Sequence, residues 1–187
     1  MLSTSELLVE HIISGILSLV WIIAIVLCVV GIDPKMIEVT QRYWGLLAVV
    51  TTAIAYPIGI FVDTVADKIL HRRDNRIKEK YGLTPDQNLM NFFQKTTTNT
   101  SNTIHYFTYN RSKTRVARSS FLNFALIAIA GALFVFIRGN SMGIENVVKI
   151  GLTTFILFAA LSFTAFVLWR EIANTVHRRT KQLWDGV

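Results

Sequence analysis

Four stretches of this chain, residues 12–32, 43–62, 121–137 and 150–169, contain no Asp, Glu, Lys or Arg. They hold 21, 20, 17 and 20 residues. At ~1.5 Å per residue, each is long enough or nearly so to cross a hydrocarbon layer of ~30 Å as a helix. The third is the shortest, and Ser119 and Ser120 are expected to complete it. A charge at the centre of a bilayer costs several kcal/mol, so charge-free runs of this length are what a membrane demands. Four such helices in a water-soluble bundle would have no polar face to turn outward. The fold expected is therefore an all-α integral membrane protein with four transmembrane helices.

The charges lie between these runs. Segment 63–120 carries eleven Lys or Arg residues and the tail after Trp169 carries four, whereas the short connections 33–42 and 138–149 hold two each. Fifteen basic residues against four place the long connection and the tail on the inner side, and the even number of spans brings the N-terminus there too. The net charge of +7 is mostly explained by this topology and by contact with anionic lipid headgroups. Tyr43 and Trp44 belong in the outer aromatic belt and Trp169 in the inner one. Residues 1–11 include Glu6 and Glu10 but no Lys or Arg, which is unlike a signal peptide.

The chain divides into a first transmembrane hairpin (1–62), a cytoplasmic helical domain (63–120), a second hairpin (121–169) and a cytoplasmic C-terminal helix (170–187). No Gly or Pro interrupts 63–81, so the second span is expected to continue beyond the membrane and to stop at Gly82. Thr84-Pro85-Asp86-Gln87 reads as a new helix start, with Leu89, Met90, Phe92 and Phe93 on its apolar face. Residues 96–103 (TTTNTSNT) read as a polar linker. A helix from about Ile104 is expected to lead into the third span, and the fourth span to continue along Ile172, Ala173, Val176 and Leu183. Three helical stems thus project into the cytoplasm.

Several residues stand out chemically. Asp63 and Asp67 share a helix face just beyond the second span, with Arg115, Arg118 and Arg170 at similar depth on other helices. They read either as interhelical salt bridges or, with several copies, as the charged mouth of a pore. Arg111, Arg115 and Arg118 form a basic stripe suited to an anion or a partner: the phosphates of a lipid headgroup, a nucleotide or a nucleic acid, or a soluble protein. Pro57 deprives the carbonyl of Ala53 of its hydrogen bond, which makes it a candidate kink, with Thr52 and nearby helices placed to compensate. Thr51, Ala55 and Gly59 form a small-residue face for helix contact, and Ala48 with Thr52 forms another. Trp21 lies mid-span and needs a partner for its indole N–H, with Ser18 or a Thr as acceptor; Asn123 reads similarly.

The single cysteine, Cys28, excludes an internal disulfide or a CxxC motif. His11, His71, His105 and His177 lack metal-ligand spacing, and no phosphate loop or nucleophile arrangement is present. No cofactor, metal or catalytic residue is expected. No ionisable residue occupies the core of a span, which disfavours proton-coupled transport.

Size, span number and the inner basic loop resemble the four-span membrane subunits of bacterial antiphage systems, such as the Kiwa membrane component. The resemblance implies a homo-oligomer in a bacterial inner membrane, sensing a membrane change or a cytoplasmic signal together with a soluble protein partner. The layout also matches large-pore channels, although the paired outer-loop cysteines of connexin-like channels are absent. An oligomeric channel or membrane-permeabilising effector is the alternative expectation.

Overall fold

The computed structural model describes the backbone of residues 4–31, 34–83 and 101–185, and the side chains of 8–31, 38–83 and 106–185. Among the described residues five α-helices follow one another: α1 (Thr4–Val30), α2 (Pro34–Arg42), α3 (Trp44–Lys80), α4 (Ser101–Arg138) and α5 (Val147–Asp185). No strand occurs among the described residues. Four helices are long and apolar enough to span a membrane, as the charge-free runs require. The chain is an all-α, four-span integral membrane protein.

Helices α3, α4 and α5 contain 37, 38 and 39 residues. At ~1.5 Å per residue they are about 55–60 Å long, roughly twice the hydrocarbon thickness. Their apolar parts lie at the start of α3 and α5 and at the end of α4, so all three charged extensions project from the same end. This is called the stem end below, and the opposite one the hairpin end. The α3 stem stops at Tyr81-Gly82. Gly82 has φ +63°, its N–H donates to the Glu79 carbonyl, and the Leu83 N–H donates to the Lys78 carbonyl. This Schellman arrangement needs the left-handed conformation that glycine adopts without steric cost.

The spans form two tight pairs, α1 with α3 and α4 with α5, joined mainly where α1 meets α4. Small residues set the first pair. A Cβ on Gly15 would stand 1.7 Å from the Ala55 oxygen, and one on Gly59 would stand 1.8 Å from the His11 oxygen. Helices α1 and α3 therefore touch backbone to backbone, which only small residues permit. The second pair is built on rings and small residues: Phe121 against Phe166, Phe124 against Phe158, and Ser162 donating to the Phe121 carbonyl at 2.9 Å. At the hairpin end, Arg138 of α4 donates to the Cys28 carbonyl at 2.8 and 3.1 Å and to the Val29 carbonyl at 3.1 Å. A cation on the last carbonyls of α1 suits the negative end of that helix dipole.

Several expectations are corrected. Residues 34–42 are helical rather than a loop, and Ser101–Thr103, expected in the linker, open α4. Polar residues of weak helix preference are there carried by the long helix that follows. Trp169 is 2% exposed and packs on Phe166 inside the bundle, so it takes no place in a lipid-facing belt. The helix expected from Thr84 to Phe93 and residues 96–100 of the linker lie outside the described residues.

Candidate functional site

The boundary between spans and stems holds three polar layers. The deepest lies within the membrane and centres on Asn123 of α4, which is fully buried. Its amide oxygen accepts from Ser18 at 2.8 Å and from the Trp21 indole at 3.1 Å, and its amide nitrogen donates to the Ser14 carbonyl at 3.0 Å. Ser14, Ser18 and Trp21 sit at helical spacing on one side of α1, so one asparagine locks three turns of a neighbour. The partner that Trp21 requires is thus Asn123, a pairing no spacing along the chain could indicate. Polar groups in hydrocarbon must be satisfied internally, and this network is closed upon itself.

The second layer joins α3 to α4. Arg118 donates to Asp63 at 2.8 Å and also contacts Asp67. Arg118 and Asp63 are both largely shielded, with side chains 14% and 15% exposed, whereas Asp67 is 59% exposed. The carboxylates face the third span of their own chain. Arg170 does not join them: it is exposed and makes no ion pair with a described residue. Beside this pair lies a small cleft lined by Glu10, His11, Ser14, Asp63, Arg115, Val116 and Ser119. Glu10 accepts from Ser112 through one oxygen, and its other oxygen is buried without a partner among the described residues.

The basic stripe Arg111, Arg115 and Arg118 is consequently divided. Arg118 is held by the two aspartates, Arg115 is half-buried at the cleft, and only Arg111 is exposed. The three share a face, but tertiary packing turns that face toward α1 and α3 over most of its length.

The third layer ties the stems together. Asp74 of α3 accepts from His177 of α5 at 3.0 Å and from Lys78 at 2.9 Å. Burial pushes the Asp74 carboxyl up, but hydrogen bonds from His177 and Lys78 and their charges outweigh it and hold the pKa at about 2. Arg73 of α3 lies over the Phe166 ring of α5 at 4.8 Å, and Arg179 of α5 lies over the Tyr106 ring of α4 at 4.2 Å. These contacts combine cation–π attraction with packing of the arginine stems.

The small-residue face of α3 is shared unequally. Ala55 and Gly59 are buried against α1, while Thr51 is exposed. Pro57 is also exposed, and α3 remains helical across it. Thr52 does not relieve the proline, because its hydroxyl donates to the Ala48 carbonyl at 2.9 Å. No group of three or more His, Cys, Asp or Glu with metal-binding geometry occurs among the described residues. No protein-family model matches the chain, no curated protein matches it, and no solved structure matches it.

Proposed function

We propose that the chain is a homo-oligomeric membrane anchor or sensor of a bacterial inner membrane, with both termini cytoplasmic, that docks a soluble protein through its basic stems. The observation that carries this reading is how the polar groups are allotted. The groups inside the membrane are closed around Asn123, and Asp63 and Asp67 are held by Arg118 of the same chain. Lys68, Arg72, Arg76, Arg111, Arg170 and Arg178 are exposed at the stem end with no ion-pair partner among the described residues. Chemistry directed outward is thus predominantly cationic, with Asp67, Glu79 and Glu171 as exposed acids among it, and lies beyond the membrane. Affinity purification in mild detergent, with the mass of the particle and the identity of bound protein measured, tests the reading. A soluble protein in fixed ratio to several copies supports it, and a bare monomer defeats it.

The second reading is an oligomeric pore, favoured by one feature. Residues 43–54 are exposed on every side of α3, including Thr51 and Thr52, so this half-helix is open to neighbouring copies. Conductance across planar bilayers distinguishes the two, since an anchor passes no current. A place in antiphage defence follows from the layout resemblance, and phage challenge of cells with and without the chain tests it.

A further inference from the structure

We infer that the exposed flank of the α3 stem, formed by Lys68, Arg72 and Arg76 beside Ile69, is a docking surface for an acidic amphipathic helix of a soluble protein. The inference rests on the docking reading above and replaces the Arg111–Arg118 stripe as the surface concerned. Charge on α3 is largely sorted by flank, although the exposed Glu79, seven residues after Arg72, is an acid on the cationic side. Asp63 and Asp74 look inward and bind Arg118 and His177, Asp67 reaches Arg118 from a largely exposed position, and Ala55, Gly59, Val62, Ala66 and Leu70 are buried. Lys68, Arg72 and Arg76 follow one another at four-residue intervals on the flank turned away from that buried face. All three are exposed, and none makes an ion pair with a described residue. Ile69, 51% exposed, adjoins them.

Position and composition select the occupant. Counting ~1.5 Å per residue from Val62, the three cations stand about 9, 15 and 21 Å beyond the apolar segment. Headgroups extend only about 5–8 Å past the hydrocarbon, so Arg72 and Arg76 rise clear of the lipid. A nucleic acid single strand would call for aromatic side chains on which bases stack, and this flank of the stem has none. Cations at helical intervals beside a bare isoleucine instead match carboxylates at the same intervals beside an apolar stripe. By contrast, Arg111, Arg170 and Arg178 are spread over two helices, with no two of them three or four residues apart.

The test uses the full chain in phosphatidylcholine nanodiscs. The probes are a synthetic amphipathic peptide with glutamates at every fourth position beside a leucine stripe, and an oligothymidylate of equal charge. Lys68→Glu with Arg72→Glu and Arg76→Glu is expected to weaken peptide binding at least about tenfold, and Ile69→Ser about threefold. The Gln versions of the three, which introduce no repulsion, are expected to act in the same direction, and unchanged particle mass verifies folding. Arg111→Glu with Arg170→Glu and Arg178→Glu should change binding less than about twofold. Tighter binding of the oligothymidylate overturns the inference in favour of nucleic acid. Loss of peptide binding when phosphatidylglycerol is added assigns the flank to lipid, and a changed particle mass in the α3 variants assigns it to a second copy; both overturn it. If the Arg111, Arg170 and Arg178 set abolishes binding and the α3 set does not, docking stands but this surface falls. If the chain binds no peptide and no soluble protein co-purifies, both fall.

Discussion

The two halves of α3 carry the same kind of surface and meet different fates. Gly45, Ala48, Thr52, Ala55 and Gly59 recur at alternating intervals of three and four, giving one small-residue ridge along the span. Toward the stem end this ridge presses backbone to backbone on Gly15 and His11 of α1. Toward the hairpin end it touches nothing: a Cβ on Gly45 would meet no atom within 4 Å. A small residue permits close approach but does not cause it. The cause lies on the facing helix, where Gly15 opens α1 to contact and the bulky Ile22 and Val26 beyond it do not.

The largest expected effect breaks the contrast at its packed end. Gly59→Leu would drive a side chain into the His11 backbone, and should destabilise the protein by about 3 kcal/mol or more, seen as loss of folded material in thermal unfolding in detergent. Ala48→Leu, on the uncovered half, should stay within about 0.5 kcal/mol of wild type. A comparable loss at Ala48 in a monodisperse particle would mean that a second copy covers this half.

Next comes the polar network. Asn123→Ala strands the Trp21 indole in hydrocarbon, leaves Ser18 only its bond to the Ser14 carbonyl and should cost about 1–2 kcal/mol, whereas Thr52→Ala, whose hydroxyl only folds back on its own helix, should cost little. Parallel unfolding titrations of the two variants check the ordering. A smaller effect separates the two aspartates. Asp63→Asn removes the shielded partner of Arg118 and should destabilise more than Asp67→Asn, whose carboxylate is mostly in water and worth at most about 1 kcal/mol.

The smallest effect concerns pH. The Asp74 carboxyl falls from 3.8 to about 2 on folding, so its contribution is complete above about pH 4 and disappears as pH drops toward 2. Asp74→Asn should flatten the acid limb of the melting temperature in that window. An unchanged slope between pH 4 and 2 would show that the stems contribute nothing to unfolding there.

Much of this fold is legible along the chain because a bilayer punishes charge so strongly that its absence marks the spans. The stop at Gly82 is also legible, since a left-handed residue after a helix favours glycine for reasons local to the backbone. The candidate site was less so. Asp63 and Asp67 announce themselves by sharing a helix face, but their partner is Arg118 rather than Arg170, which depends on how α4 is rotated. Arg138 stands in the sequence at the start of a short connection with few charges, yet it caps α1 across the bundle. A Cys28 carbonyl left open at a helix end was the one available hint, and every helix end offers the same.

The sequence by itself determined the number, length and membrane character of the spans, because these follow from the cost of placing charge in hydrocarbon, residue by residue. Only the tertiary structure decided which polar groups neutralise one another. Pairing requires two side chains to meet within about 3 Å, and that depends on helix rotation and closeness of approach set by Gly15, Gly59 and Asn123 acting together. Packing took Arg118, Asp63 and Asp74 inward and left Lys68, Arg72 and Arg76 facing out.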